Sequence, residues 1–143
     1  MRIVLAEDNP ADVFLLREAL KEHAVDAELH WIDDGAEALN YFDTLDLDDP
    51  GSAPDAILLD LSLPKVDGEF ILQRIRDDHR YHRVPVAVMS SADNPISRER
   101  VRALGASFIC KPSALDEFLR IGEVVCEMCE LWMFRQTLYF GCG

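Results

Sequence analysis

The chain has 143 residues, with 27 acidic against 14 basic side chains, a net charge of −13 and 49% hydrophobic residues. That apolar content suffices for one core of ordinary domain size and argues against global disorder. A surface this acidic repels phosphate backbones, which disfavours direct nucleic-acid binding and suits a cation or a basic partner.

Met1 to Ala6 is a strand-like run that meets Glu7 and Asp8 at once, without the basic start and long apolar stretch of a signal peptide. No segment reaches the ~18 continuous apolar residues of a membrane span, so no membrane partner is expected. Cys110, Cys126, Cys129 and Cys142 fall late in the chain and are not spread as a disulfide framework. A reduced, cytoplasmic location is therefore the default expectation.

In chain order, residues 2–6 (RIVLA) predict a first strand, ended by Glu7-Asp8. Asn9-Pro10 then offers a helix start, since proline at the first helical position loses little by lacking an N–H. Val13, Leu16 and Leu20 recur at helical spacing through residue 22, with Phe14 and Leu15 widening the stripe. Residues 27–32 (AELHWI) predict a second strand, Asp33-Asp34-Gly35 breaks it, and residues 36–42 predict a second helix. Residues 43–55, with Pro50, Gly51, Ser52 and Pro54, predict an acidic loop. Its carboxylates lack the spacing and closing Glu of an EF-hand, so a solvated loop is expected rather than calcium.

Residues 56–59 (AILL) form a nearly unbroken apolar run, as in a strand covered on both faces, and end at Asp60. A loop through Pro64 leads to a third helix at 68–78. A strand at 84–89 ends at Ser90-Ser91, and a helix at 95–104 is stopped by Gly105. A last strand at 107–110 ends at Lys111-Pro112. Ser113 with Asp116 predicts a capping box for one long final helix. About five strands thus alternate with about five helices, which predicts βαβ units and a parallel sheet covered on both faces. Residues 1–125 are expected to form the domain, with 126–143 continuing the last helix into an apolar C-terminal extension. No segment is long enough for an independent output domain, so any signal is expected to leave through the domain's own surface.

The polar residues at the strand ends carry the chemistry. Glu7-Asp8 follows the first strand, Asp60 ends the third, Ser90 the fourth and Lys111 the fifth. In an open parallel α/β sheet, ligands bind beyond the carboxyl ends of the strands, so these groups should gather at one edge. Clustered carboxylates repel one another, and a divalent cation removes that conflict. Mg2+ fits, because it takes one or two carboxylates together with waters and phosphate oxygens. Lys111 has the wrong charge for a metal ligand but suits a phosphoryl oxygen, and Ser90 can donate to another.

These residues resemble a known family. Glu7-Asp8-Asn9-Pro10, Leu58-Leu59-Asp60 with Leu63-Pro64-Lys65-Val66-Asp67-Gly68, Ser90-Ser91 and Lys111-Pro112 look like the marks of two-component response-regulator receiver domains, in order and spacing, over residues 2–122. The resemblance extends to small regulators paired with bacterial phytochromes. It implies a flavodoxin-like (βα)5 three-layer sandwich with parallel sheet order 2-1-3-4-5. It implies Asp60 as phospho-acceptor and Mg2+ held by Asp8, Asp60 and the Ser62 backbone carbonyl, with Glu7 helping through water. Lys111 would neutralise the phosphoryl group, and Ser90 and Phe108 would be the switch residues. Ser62 and Ala92 would border the approach of hydrolytic water. Ser90 stands where Thr is commoner and keeps the hydroxyl; Phe108 lacks the phenol of the usual aromatic alternative. The partners implied are a sensor histidine kinase or phosphotransfer protein, met through the face of the fourth helix, fifth strand and fifth helix. Such a chain catalyses its own phosphorylation and slow dephosphorylation without being a turnover enzyme.

Other readings are weaker. Cys126-x-x-Cys129 lies inside a helix rather than at its start, where a redox pair is activated, so two semi-buried cysteines are expected. His79-x-x-His82 and that pair would sit on opposite sheet faces, against a shared zinc site. A metal-dependent phosphatase would need a second Asp two residues after Asp60, where Ser62 stands. A flavin site would place a phosphate against Glu7-Asp8. Leu115, Phe118, Leu119, Val125, Met128 and Trp132 can form one helical stripe, but Leu131 to Phe134 come consecutively, and Leu138, Tyr139 and Phe140 add apolar surface. A homodimer through the C-terminal helix, or through the fourth-helix face, is the expectation this surface raises.

Overall fold

The computed structural model describes residues 1–140, with side chains described through Glu130. Trp132, Tyr139 and the other apolar tail side chains behind the dimer expectation, and Cys142, lie outside the described residues. Twelve elements alternate: β1 Arg2–Ala6, α1 Pro10–Glu22, β2 Glu28–Ile32, α2 Gly35–Thr44, β3 Ala56–Asp60, α3 Gly68–Asp77, a 3-10 turn His79–Tyr81, β4 Val86–Ser90, α4 Pro95–Ala103, β5 Ser107–Cys110, α5 Leu115–Leu119 and α6 Ile121–Phe140. The strands form one sheet in the order β2-β1-β3-β4-β5, every neighbouring pair parallel. This is the flavodoxin-like order that the resemblance implied.

Both sheet faces are covered, which is why the central strands read as continuous apolar runs. On one face Val4, Ile57, Leu59, Val86 and Val88 meet Phe42 of α2, Ile71, Leu72 and Ile75 of α3, and Val101 of α4. On the other, Ile3, Leu5, Leu58 and Met89 meet Val13, Leu16 and Leu20 of α1, Phe118 of α5, and Ile121 and Val125 of α6. All five residues of β3 are buried, Asp60 included. The period-two alternation of a strand sends its successive side chains into the two cores.

Helix starts follow local chemistry. The side chain of Asn9 accepts from Ala11 N–H at 3.0 Å, with Pro10 next to it, and Asp34, Asp67 and Asn94 cap α2, α3 and α4 in the same way. The final helix departs from expectation twice. Its N-cap is Ala114, with no side-chain cap, so Ser113 and Asp116 form no capping box. It also divides at Arg120, because the His23 ring takes the Leu119 carbonyl at 3.2 Å and the chain tightens through Arg120 N–H to Glu117 O. Gly122 follows, where a Cβ would stand 2.3 Å from the Ala19 carbonyl of α1. β4 begins at Val86, later than expected, since Pro85 lacks an N–H and the Val84 N–H closes the preceding turn on Tyr81.

Two glycines set the loop beyond β3. A Cβ at Gly35 would stand 2.2 Å from the Val66 carbonyl, while Gly35 N–H donates to Pro64 O at 3.0 Å. A Cβ at Gly68 would stand 2.2 Å from the Asp60 carbonyl and 2.7 Å from Leu61 Cα. Helix α3 can therefore start directly against the backbone of Asp60 only with glycine there. Overpacking against backbone costs about 1–3 kcal/mol or more. Gly68→Ala is expected to lower unfolding free energy by at least about that amount in urea denaturation, whereas a variant as stable as wild type would show the contact to be slack.

Candidate functional site

The carboxyl ends of β1, β3 and β5 bring Glu7, Asp8, Asp60 and Lys111 together. Lys111 Nζ donates to Glu7 Oε2 at 2.7 Å, to Asp12 Oδ2 at 2.9 Å and to Asp60 Oδ2 at 3.0 Å. Carboxylate oxygens of Glu7, Asp8 and Asp60 also lie within 4.8 Å of one another. Residues separated by as many as 104 positions thus share one hydrogen-bonded cluster.

Each group is held by its element. Glu7 is fully buried; its N–H pairs with Ile32 O at 3.0 Å, its carbonyl accepts from Trp31 Nε1 at 2.7 Å, and Oε1 accepts from Asn9 N–H at 3.1 Å. Asp60 is 4% exposed, and its Oδ1 accepts from Ser62 N–H at 2.9 Å. With Lys111 on Oδ2, both oxygens are oriented. Asp8, by contrast, is exposed. The Lys111 N–H donates to Ser90 O at 2.7 Å, extending the β4–β5 ladder by one rung past β5.

The electrostatics follow from burial. Desolvation, joined by a hydrogen bond shared with Asp60, pushes the Glu7 carboxyl up to about 7 despite the lowering effect of Lys111. Burial works to lower the Lys111 ammonium, but hydrogen bonds to Glu7, Asp12 and Asp60 outweigh it and hold the group above its ordinary value. An all-oxygen donor set with one proton-hungry buried carboxyl fits Mg2+, which would relieve the crowding of negative charge. Glu7, Asp8 and Asp60 each offer a carboxylate oxygen that could hold it.

Ser90 is buried at the end of β4; its hydroxyl donates to Ala92 O at 2.9 Å and accepts from Ala92 N–H at 3.1 Å. It faces its own loop. Phe108 is half-buried beside the α2–α3–α4 core, and the Arg98 guanidinium of α4 lies 4.8 Å from its ring centre. Lys65 adopts φ 70° and reaches Asp34 Oδ2 at 3.1 Å, away from the pocket.

The one pocket residue that the sequence reading did not single out is Asp12. A lone acid in the first turn of a helix is ordinary, since negative charge is favoured at a helix N-terminus, and nothing in the local sequence marks this one. Outside the pocket, Cys110, Cys126 and Cys129 are free thiols, and burial pushes Cys129 up to about 11, the reverse of an activated thiol. His82 binds the Arg76 carbonyl at 3.2 Å, and His79 opens the 3-10 turn. Among the described residues no metal-holding cluster joins these histidines to the cysteines.

The model of the response regulator receiver domain matches residues 3–121. The chain is 34% identical over 135 residues to the probable methanogenesis regulatory protein FilR2 of Methanothrix harundinacea, covering 92% of this chain and 83% of that protein. The crystal structure of the phosphorylated cyanobacterial phytochrome response regulator RcpA superposes with a TM-score of 0.76 at 36% identity, covering 87% of this chain and 89% of that one. The manganese(II)-bound form of response regulator Rcp1 has a TM-score of 0.76 at 30% identity, covering 87% and 90%.

The elevated Glu7 carboxyl makes the pocket pH-dependent. In metal-free protein its contribution to stability is fully present below about 4.5, the ordinary value, and is lost as pH rises through about 7. A cation competes with that proton, so added Mg2+ is expected to raise Tm little at pH 5 and clearly at pH 8. Glu7→Gln should flatten the difference; an Mg2+ effect equal at both pH values in wild type would contradict this account.

Proposed function

The chain belongs to the response regulator receiver family, and from that premise we propose that it accepts a phosphoryl group on Asp60 from a sensor histidine kinase or phosphotransfer protein. The observation that carries the proposal is the pairing of a buried, oriented Asp60 carboxylate with Lys111 at 3.0 Å, beside Glu7 and Asp8. Asp60 attacks the phosphorus of a phosphohistidine in line; the O–P bond forms as the P–N bond breaks and imidazole leaves. Ser62 N–H and Lys111 hold the carboxylate in place for that attack. Lys111 then meets charge on the transferred oxygens, where a fixed ammonium in a largely water-excluded site counts for more than in water. Bound Mg2+ would add neutralising charge on the same oxygens.

Output follows from Ser90 and Phe108. Reaching a phosphoryl oxygen requires Ser90 to give up its two bonds with Ala92. The room this leaves lets Phe108 turn inward, at the cost of its contact with Arg98 on α4. Such a two-state element biases the face of α4, β5 and α5, which serves as the contact surface for the next partner. In this reading the chain works alone in the cytoplasm, by protein–protein contact and without turnover chemistry. Residues 126–143 extend the domain rather than forming another, and pairing of two copies through that helix or through the α4–β5–α5 face fits its apolar composition. Among the described residues no helix is long and apolar enough to cross a membrane.

Incubation with acetyl phosphate is expected to label the protein to one phosphoryl group per chain, only in the presence of Mg2+. Asp60→Asn should abolish labelling, and Lys111→Ala should slow it at least about tenfold, as for loss of one electrostatic contact. Labelling of Asp60→Asn at the wild-type level, or steady release of phosphate from small esters, would refute the assignment.

A further inference from the structure

An ammonium group has three N–H donors and no acceptor, and those of Lys111 are all taken, by Glu7, Asp12 and Asp60. A phosphoryl group on Asp60 brings new oxygens to the same ammonium, so one of the three carboxylates must yield. We propose that Asp12 is the one: a positioning residue that competes with the phosphoryl group for Lys111 and thereby sets how readily the site accepts an anion. This rests on the receiver reading above.

The three partners differ in how easily they can leave. Glu7 is fully buried and has no water to turn to, while Asp60 becomes an acyl phosphate, and the donor it releases meets only one of the new oxygens. Asp12 is 18% exposed, in the first turn of α1, and can turn to water. It is also a fourth negative charge beside the position that an incoming anion occupies. Both effects oppose an anion, while the same charge attracts a cation. A role confined to the helix, where an acid in the first turn favours the N-terminus, predicts a loss of stability with no such opposition of sign.

Beryllofluoride, which mimics a phosphoryl group on a carboxylate, is the probe, titrated at saturating Mg2+ by calorimetry and compared with Mg2+ titrated alone. Asp12→Asn is expected to bind beryllofluoride about tenfold more tightly than wild type, roughly 1.4 kcal/mol, and Mg2+ no more tightly. Asp12→Ala, which also removes the acceptor from Lys111, should show the same split, with Tm measured on both variants to verify folding. Beryllofluoride affinity that is unchanged or weaker in both variants overturns the role of Asp12. Failure of wild type to bind beryllofluoride at all overturns the receiver reading instead.

Discussion

Lys111 stands at the centre of the molecule's chemistry because its ammonium is the only positive group held among Glu7, Asp12 and Asp60 at 2.7 to 3.0 Å in the described residues. Burying these acids without it would leave unpaired charge in a low-dielectric site, which is far more costly than the pairs are worth as stabilisers. The sheet exists in part to satisfy this constraint. β1, β3 and β5 are not all adjacent, yet a parallel order with β3 at the centre points all their carboxyl ends to one edge, where they meet one ammonium. Stability and the proposed chemistry share the arrangement: a buried acidic cluster that is costly without a positive partner also suits a cation.

Much of this was legible in the chain because parallel α/β folds separate the two kinds of information. Apolar runs such as residues 56–59 report strands buried on both faces, and the polar residue ending each run reports the functional edge. Asp60, Lys111 and the Glu7-Asp8 pair could be found by that rule alone, and the family match places them in a receiver domain. Asp12 escaped it because it belongs to a helix rather than a strand end. Helical acids are common on surfaces, and only the three-dimensional path of α1 shows this one turned to Lys111.

The misreadings concern ends of elements, where tertiary contacts override local signals. Ser113 and Asp116 have the right spacing for a capping box, but the helix begins one residue later than that box requires. One continuous final helix was expected, yet His23, at the C-cap of α1, draws off the Leu119 carbonyl and Gly122 sits against Ala19. Neither contact is visible in the local sequence, since each depends on where α1 lies. The same holds for Arg98 over Phe108, a pairing of α4 with β5 that no spacing rule announces.

The rung between Lys111 N–H and Ser90 O has a mechanical consequence. On its other side β4 is stitched to β3, with Asp60 opposite Met89 and Leu61 N–H on the Met89 carbonyl at 3.0 Å. The main chain at Ser90 is therefore clamped from left and right, and cannot slide toward the pocket. Its hydroxyl can travel by torsion about its own side-chain bond, once the bonds to Ala92 in the strand-free stretch 91–94 are released. In the switch proposed above, the stretch that leads into α4 is the hinge, and the sheet itself is its fixed frame.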